Sequence, residues 1–384
     1  MLTLIENGEV LAPERLGKKS VLLLGDRIGR IGEVDPRGAE ALGLELETID
    51  AAGCLVVPGF IDPHTHLTGG SGEEGYASRT PALQFSEIIQ WGITTVVGVL
   101  GVDATTRVLP DLLARVYGME EEGISAWMYT GAYDVPPPTL TGSVREDLMI
   151  VEKVIGVGEI ALSDQRAVQP TIRDLARLVT DTMIGGRLSG KAGVVHFHLG
   201  ERPDRLKPLR ELLDDFGIEP QVIYPSHVHR TDELLREAAE ISKRGVYVDM
   251  DAAQGNMAQK VREFLEMGGR EDRLTLSSDS DSNTPANLFL RWRECVLKEK
   301  LPLEQALALV TRNTAEVLKL SGKGRLQEGA DADLVILRQG SLDIVHVIAK
   351  GKVLVRDGKP VVEEKFLESS DRDLDLHGKN GSDS

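Results

Sequence analysis

An α/β fold is predicted, a (β/α)8 TIM-like barrel with a small β-sandwich domain formed from both chain ends. Three observations predict it. From about Cys54 onward, apolar β-branched runs alternate with longer segments of helical period, the signature of repeated βα units. Eight such runs occur over about 260 residues, the count and length of an eight-stranded barrel. Short strand-and-turn segments without helical periodicity flank this region on both sides.

Taken in order, Leu2–Ile5, Val21–Leu24, Ile28–Ile31 and Glu47–Ile49 read as short strands separated by turn residues such as Gly25-Asp26. The barrel-strand candidates are Leu55–Ile61, Thr94–Leu100, Ile124–Tyr129, Val157–Leu162, Val194–Leu199, Val222–Tyr224, Val246–Met250 and Leu274–Ser277. Between them lie helix candidates Pro81–Trp91, Arg107–Glu122, Val144–Val154, Ile172–Met183, Leu206–Phe216, Asp232–Lys243 and Ala258–Met267. A doubly wound sheet would show fewer strands and a Gly-x-Gly-x-x-Gly turn after the first, which is missing. A helix over Leu303–Leu320 precedes strands at Ile344–Ala349 and Lys352–Val355. The expected division is therefore 1–57 with 323–368 as the β domain, 58–322 as the barrel, and 369–384, polar and poor in apolar residues, as a disordered tail.

The chain has 384 residues and a net charge of −17, with 41% hydrophobic and 27% charged residues. That describes a globular protein with a sizeable core. The acid excess argues against a nucleic-acid binder or docking on anionic lipid. Two cysteines, Cys54 and Cys295, make neither a disulfide framework nor a C-x-x-C metal pair. The first residues lack the basic and apolar regions of a signal peptide, no apolar run approaches membrane-spanning length, and the expected compartment is the cytoplasm.

Histidine is scarce and concentrated. Six of the eight form three His-x-His pairs: His64/His66, His196/His198 and His227/His229. The first follows Gly59-Phe60-Ile61-Asp62-Pro63 at a strand end, where residues i and i+2 share a face and both imidazoles can meet a divalent metal at the barrel mouth. On strand five, His198 comes last before Leu199-Gly200 and is placed at the mouth, with His196 behind it. His227 stands at the end of strand six, with His229 further into the loop. Packing or support of a neighbour is the favoured reading of His196 and His229. Asp279 ends the run Leu274-Thr-Leu-Ser-Ser-Asp, where a carboxylate can bind metal and relay a proton; Asp281 is its rival.

This set resembles the amidohydrolase superfamily, with His-x-His on strand one, histidines on strands five and six and aspartate on strand eight. More specifically it is similar to the isoaspartyl (β-aspartyl) dipeptidases. The likeness covers nearly the whole chain and rests on Pro58–Glu73, Arg79-Thr-Pro, Gly123–Tyr133, Val154–Val157, Leu162-Ser-Asp-Gln-Arg and Leu276-Ser-Ser-Asp.

The resemblance implies a metal-dependent hydrolase acting on the isopeptide bond of β-aspartyl dipeptides, with Asp279 as proton relay for the attacking water. Binuclear relatives hold a carboxylated lysine on strand four. Here no lysine lies between Lys153 and Lys191, and Glu159 stands near that place, displaced by an apparent one-residue insertion. The expectation is two zinc ions held by His64, His66, Glu159, His198, His227 and Asp279 and bridged by Glu159. A mononuclear site with an incidental Glu159 is the alternative. The resemblance further assigns Glu73 to the substrate's α-ammonium, Ser71 and Gly72 to backbone contacts, Tyr133 to the oxyanion, and Arg166 and Arg230 to substrate carboxylates. Val102 stands where the family has threonine and Asn283, also at the substrate, where it has serine; either loss of a hydroxyl could shift the preferred substrate. The expected partner is a small acidic dipeptide, and the expected assembly a homo-oligomer such as an octamer. The alternative activities are hydrolysis of N-acyl amino acids or cyclic amides by another amidohydrolase, or a barrel kept as a non-catalytic scaffold.

Overall fold

Strands buried on both faces read as unbroken apolar runs, because each is covered by helices outside and side chains inside. A computed structural model of the chain describes residues 2–253 and 255–372. Six such strands lie side by side in chain order in one parallel sheet: β1 (Phe60–Thr65), β2 (Ile93–Gly98), β3 (Ser125–Thr130), β4 (Val154–Leu162), β5 (Val194–Leu199) and β6 (Ile223–Ser226). A second parallel pair, β7 (Val248–Asp251) and β8 (Leu274–Ser277), continues the series. The sheet is curled. Past β8, Asp279 N donates to His64 O at 3.1 Å and Ser278 N to the Asp62 carboxylate at 3.0 Å, which ties the last strand to the first.

Helices follow most strands and turn apolar stripes onto them. Ile172–Ser189 starts at a capping box between Thr171 and Asp174 and stops at left-handed Gly190. Asp232–Lys243 begins where Thr231 accepts from Leu234 N. The expected helix over Val144–Val154 ends instead at Ile150, and β4 starts at Val154, three residues before its expected edge. The expected Leu303–Leu320 helix is two helices, Leu303–Val310 and Arg312–Val317, interrupted at Thr311, whose backbone (φ −135°, ψ −92°) is not helical.

The expected first barrel strand, Leu55–Ile61, is also two strands. Cys54–Pro58 pairs antiparallel with Leu334–Arg338 and parallel with Glu9–Leu11, in a seven-stranded sheet drawn from both chain ends. Only from Phe60 does the chain enter the parallel sheet. A four-stranded sheet of Arg27–Gly32, Ser20–Leu24, Leu2–Glu6 and Leu46–Asp50 shares an apolar core with the seven-stranded one, including Ile5, Val21, Ile49, Val56, Leu334 and Ile348. The part of the expected tail beyond Arg372 lies outside the described residues; its start, Ser369, ends a short 3-10 turn. Among the described residues no helix is long and apolar enough to cross a membrane.

Gly59 is the hinge between the two sheets. Its N–H donates to Asp333 O at 2.9 Å, and a Cβ there would come within 2.1 Å of Thr94 Oγ1 on β2. Gly59→Ala should therefore lower stability by about 1–3 kcal/mol, the usual range for overpacking a close-packed site, read as a lower urea midpoint with unchanged slope. An unchanged midpoint would contradict this packing.

Candidate metal centre and active site

Six strands deliver ionisable groups to one end of the parallel sheet, the end where barrels of this kind carry their chemistry. His64 lies in β1 and His66 just beyond it. Glu159 lies within β4, His198 in β5, His227 after β6, Asp251 at the end of β7, and Asp279 after β8. His227 and Asp279 adopt left-handed backbones, φ 62° and 45°, a conformation that non-glycine residues hold only when their surroundings impose it.

Glu159 reaches the centre through a bulge. Val157 pairs with Val195 but Ile160 with Phe197, three steps on β4 against two on β5, so one extra residue is inserted. A bulge re-aims a side chain. Gly158 permits the close approach, since a Cβ there would lie 2.7 Å from His196 Cβ and 2.8 Å from its carbonyl oxygen. The Gly158–Glu159 peptide is cis.

The two Glu159 oxygens face two groups. Oε1 lies 3.0 Å from His64 Nε2 and 3.4 Å from His66 Nε2. Asp279 Oδ1 completes that side, 3.3 and 3.2 Å from the same nitrogens. Oε2 lies 2.9 Å from His198 Nδ1 and 3.7 Å from His227 Nε2. Ligand atoms of His64, His66, Glu159 and Asp279 fall within 4.8 Å of one another, and so do those of Glu159, His198 and His227. Nε2 of His64 and Nε2 of His227 are buried and make no hydrogen bond among the described residues. Buried nitrogens converging on carboxylates without a hydrogen bond are what a cation would satisfy, and the imidazole and carboxylate donors suit a divalent ion.

Burial alone would raise the pKa of the Glu159 carboxyl, but the charge of His64 and the hydrogen bond with His198 hold it well below the usual range. Burial opposes Asp279 ionisation likewise, and His64 and His66 overcome it. Burial and then the charge of Glu159 push the Tyr133 hydroxyl far up, so it keeps its proton at neutral pH and can donate. His196 is driven far down by burial and by His64, and remains neutral behind the ligands. Its Nε2 lies 3.1 Å from His64 Nδ1, and its ring stacks on Tyr129. His229 is buried as well and lies off the ligand set.

Outside the ligands, a cavity of about 750 Å3 is lined by Glu73, Asp164, Arg166, Glu201, Arg202 and Arg230, among others. Arg166 forms a bidentate pair with Asp164 (Nε–Oδ1 2.9 Å, Nη2–Oδ2 2.8 Å) and donates from Nη1 to Glu73 at 2.6 Å. Nη2 of Arg166 and Nη1 of Arg230 lie 3.0 and 3.2 Å from His198 Nε2, and Tyr133 Oη lies 2.8 Å from His198 Nδ1. Ser71, Glu73, Val102, Tyr133 and Asp281 share a smaller recess beside His66. Gly72 backs onto the Arg79 side chain, and Asn283 Nδ2 donates to Asp279 O at 3.4 Å. The site thus gathers all six expected ligands, with Tyr133, Arg166 and Arg230 beside them. Glu73, expected on the substrate, is paired with Arg166.

Sequence reasoning passed over Asp164 and Asp251. Asp251 accepts from His227 Nδ1 at 2.7 Å. The usable signal was its place as the last residue of a strand, the position already weighed for Asp279; the expected strand stopped one residue short.

Fold and site together define a metal-dependent hydrolase. The Amidohydrolase family pattern matches residues 47–87 and 158–362. A β-aspartyl dipeptidase of Fervidobacterium islandicum shares 39% identity with a TM-score of 0.89, covering 98% of this chain and 100% of that one. The same enzyme in complex with β-Asp-Leu dipeptide gives 38% identity and a TM-score of 0.87 over the same shares. At greater distance, a 5-methylthioadenosine/S-adenosylhomocysteine deaminase of Natronomonas pharaonis is 25% identical over 421 residues, 92% of each chain. The chain belongs to the amidohydrolase family, and it resembles the β-aspartyl dipeptidase far more than it does this deaminase.

If Glu159 serves both groups, removing its charge must affect both. If the site holds two zinc ions, Glu159→Gln should cut the zinc bound per chain after dialysis to one ion or none, measured by plasma emission spectrometry. Two retained ions would contradict a bridging role.

Proposed function

We propose that the protein hydrolyses the isopeptide bond of β-aspartyl dipeptides at a pair of divalent cations, zinc by donor type, bridged by Glu159. The eight parallel strands would form a closed barrel over 58–322. The β-sandwich domain of 1–57 and 323–368 would sit beside it, in a homo-oligomer of the cytoplasm. One observation carries the activity: Arg166 and Arg230 reach within hydrogen-bonding distance of the candidate ligand His198, so an acidic substrate held by them lies against the metal centre.

Bound there, the cations would lower the pKa of water and polarise the scissile carbonyl. His64, His66 and Asp279 would hold one and His198 and His227 the other. Asp279 takes the proton of the attacking water and passes it to the leaving amine. Tyr133, protonated at neutral pH, donates to the developing oxyanion. Arg166 and Arg230 hold substrate carboxylate, and Glu73 exchanges Arg166 for the substrate α-ammonium. Val102, in the recess beside His66, withholds a hydroxyl from that end of the substrate. This would shift the preferred dipeptide, and N-acyl amino acids are the second substrate class to test.

Chelation should abolish hydrolysis of β-Asp-Leu and zinc restore it, with α-Asp-Leu and N-acetyl-leucine untouched. Preference for the N-acetyl substrate would overturn the dipeptidase reading, and full activity after chelation the metal reading. Asp279→Asn should reduce kcat by about 10²–10⁴-fold, the usual contribution of a general acid–base group, with an unaltered circular dichroism spectrum. Arg230→Met should raise KM by about 10–100-fold, as expected for a lost charged hydrogen bond of 1.5–3 kcal/mol; an unchanged KM would refute its role.

A further inference from the structure

Asp251 belongs to neither half of the ligand set that Glu159 joins, yet it is 2% exposed and in contact with one ligand. Its Oδ2 accepts from His227 Nδ1 at 2.7 Å, and its Oδ1 accepts from Ala253 N at 3.1 Å. The other ring nitrogen, His227 Nε2, points toward Glu159 Oε2 and has no hydrogen bond among the described residues. A neutral imidazole carries its proton on one nitrogen and a lone pair on the other, and only the lone pair can bind a cation. A carboxylate accepting N–H from the far nitrogen therefore decides which nitrogen is free, fixes the ring's rotation and makes it more basic.

The alternative, Asp251 as a ligand in its own right, fits the geometry less well. Asp251 Oδ2, His227 and Asp279 are near enough to surround an ion. That ion would use His227 Nδ1, whose distance to Asp251 is that of a hydrogen bond, and Nε2 would be left facing Glu159 with nothing to bind.

We propose that Asp251 is a positioning residue: through His227 it sets the tautomer and angle of a metal ligand, and so the affinity of the cation site formed by Glu159, His198 and His227. The inference rests on the two-cation reading above.

The test is zinc titration of the chelator-stripped full-length protein in competition with a chromophoric chelator. The wild type should bind two ions. Asp251→Ala should weaken one of the two by about 10–100-fold and leave the other unchanged, the usual effect of losing such a partner. Asp251→Asn, whose amide oxygen can still accept from Nδ1, should lose less. That gradation, with a changed visible spectrum of the cobalt(II) form, is not expected of a merely structural residue. If Asp251→Ala does not fold, a weakened single site in Asp251→Asn carries the test. Two ions bound with wild-type affinity in every folded variant overturn the inference alone. Outright loss of one ion at saturating zinc also overturns it, since Asp251 would then be a ligand. A wild type holding fewer than two ions overturns the two-cation reading, and the inference falls with it.

Discussion

The buried Glu159 carboxylate touches both halves of the candidate ligand set, and the local architecture is arranged so that it can. A charge removed from water costs several kcal/mol unless it is paired and hydrogen-bonded. Glu159 is compensated by His64 and His66 at one oxygen and by His198 and His227 at the other. Its stem is shorter than that of a carboxylated lysine, so the backbone of β4 must come nearer the axis. The extra residue after Val157 and the missing Cβ at Gly158 bring it there.

Beneath the ligands lies a polar floor in place of an apolar one. Asp249 is fully buried, and burial pushes its carboxyl up to about 6 despite hydrogen bonds from Ser277, Thr275 and Ser226. Ser226 Oγ in turn lies 3.3 Å from His64 Nδ1, so side chains of β6, β7 and β8 are linked to a ligand on β1. At the mouth, Asp164 holds Arg166 in a bidentate pair that leaves one guanidinium nitrogen facing Glu73. The chain's overall acidity is thus no guide to its site: on a protein of charge −17, Arg166 and Arg230 stand beside His198, with Arg166 oriented by Asp164.

The histidines were legible because strand periodicity and strand ends are local properties: i, i+2 spacing puts His64 and His66 on one face, and nearness to the C-terminal end of β5 separates His198 from His196. Glu159 was legible only as a departure from a family pattern, since nothing in its neighbours' polarity reveals a bulge. Asp251 stands one residue past the expected strand Val246–Met250, and its pairing with His227 shows only once the fold brings β6 and β7 together. The same holds for the fold. The break at Gly59 falls inside one continuous apolar run, and both halves are buried, so composition does not change where the chain passes from one sheet to the other. The interruption at Thr311 likewise sits inside a helical pattern and is set by its surroundings.

The central claim is that one carboxylate serves two cations. It is tested most directly by growing crystals with zinc and recording anomalous diffraction at the zinc edge. Two peaks of comparable occupancy, each within coordination distance of a different Glu159 oxygen, are the predicted result. A single peak, or two peaks with Glu159 bound to only one, would contradict it.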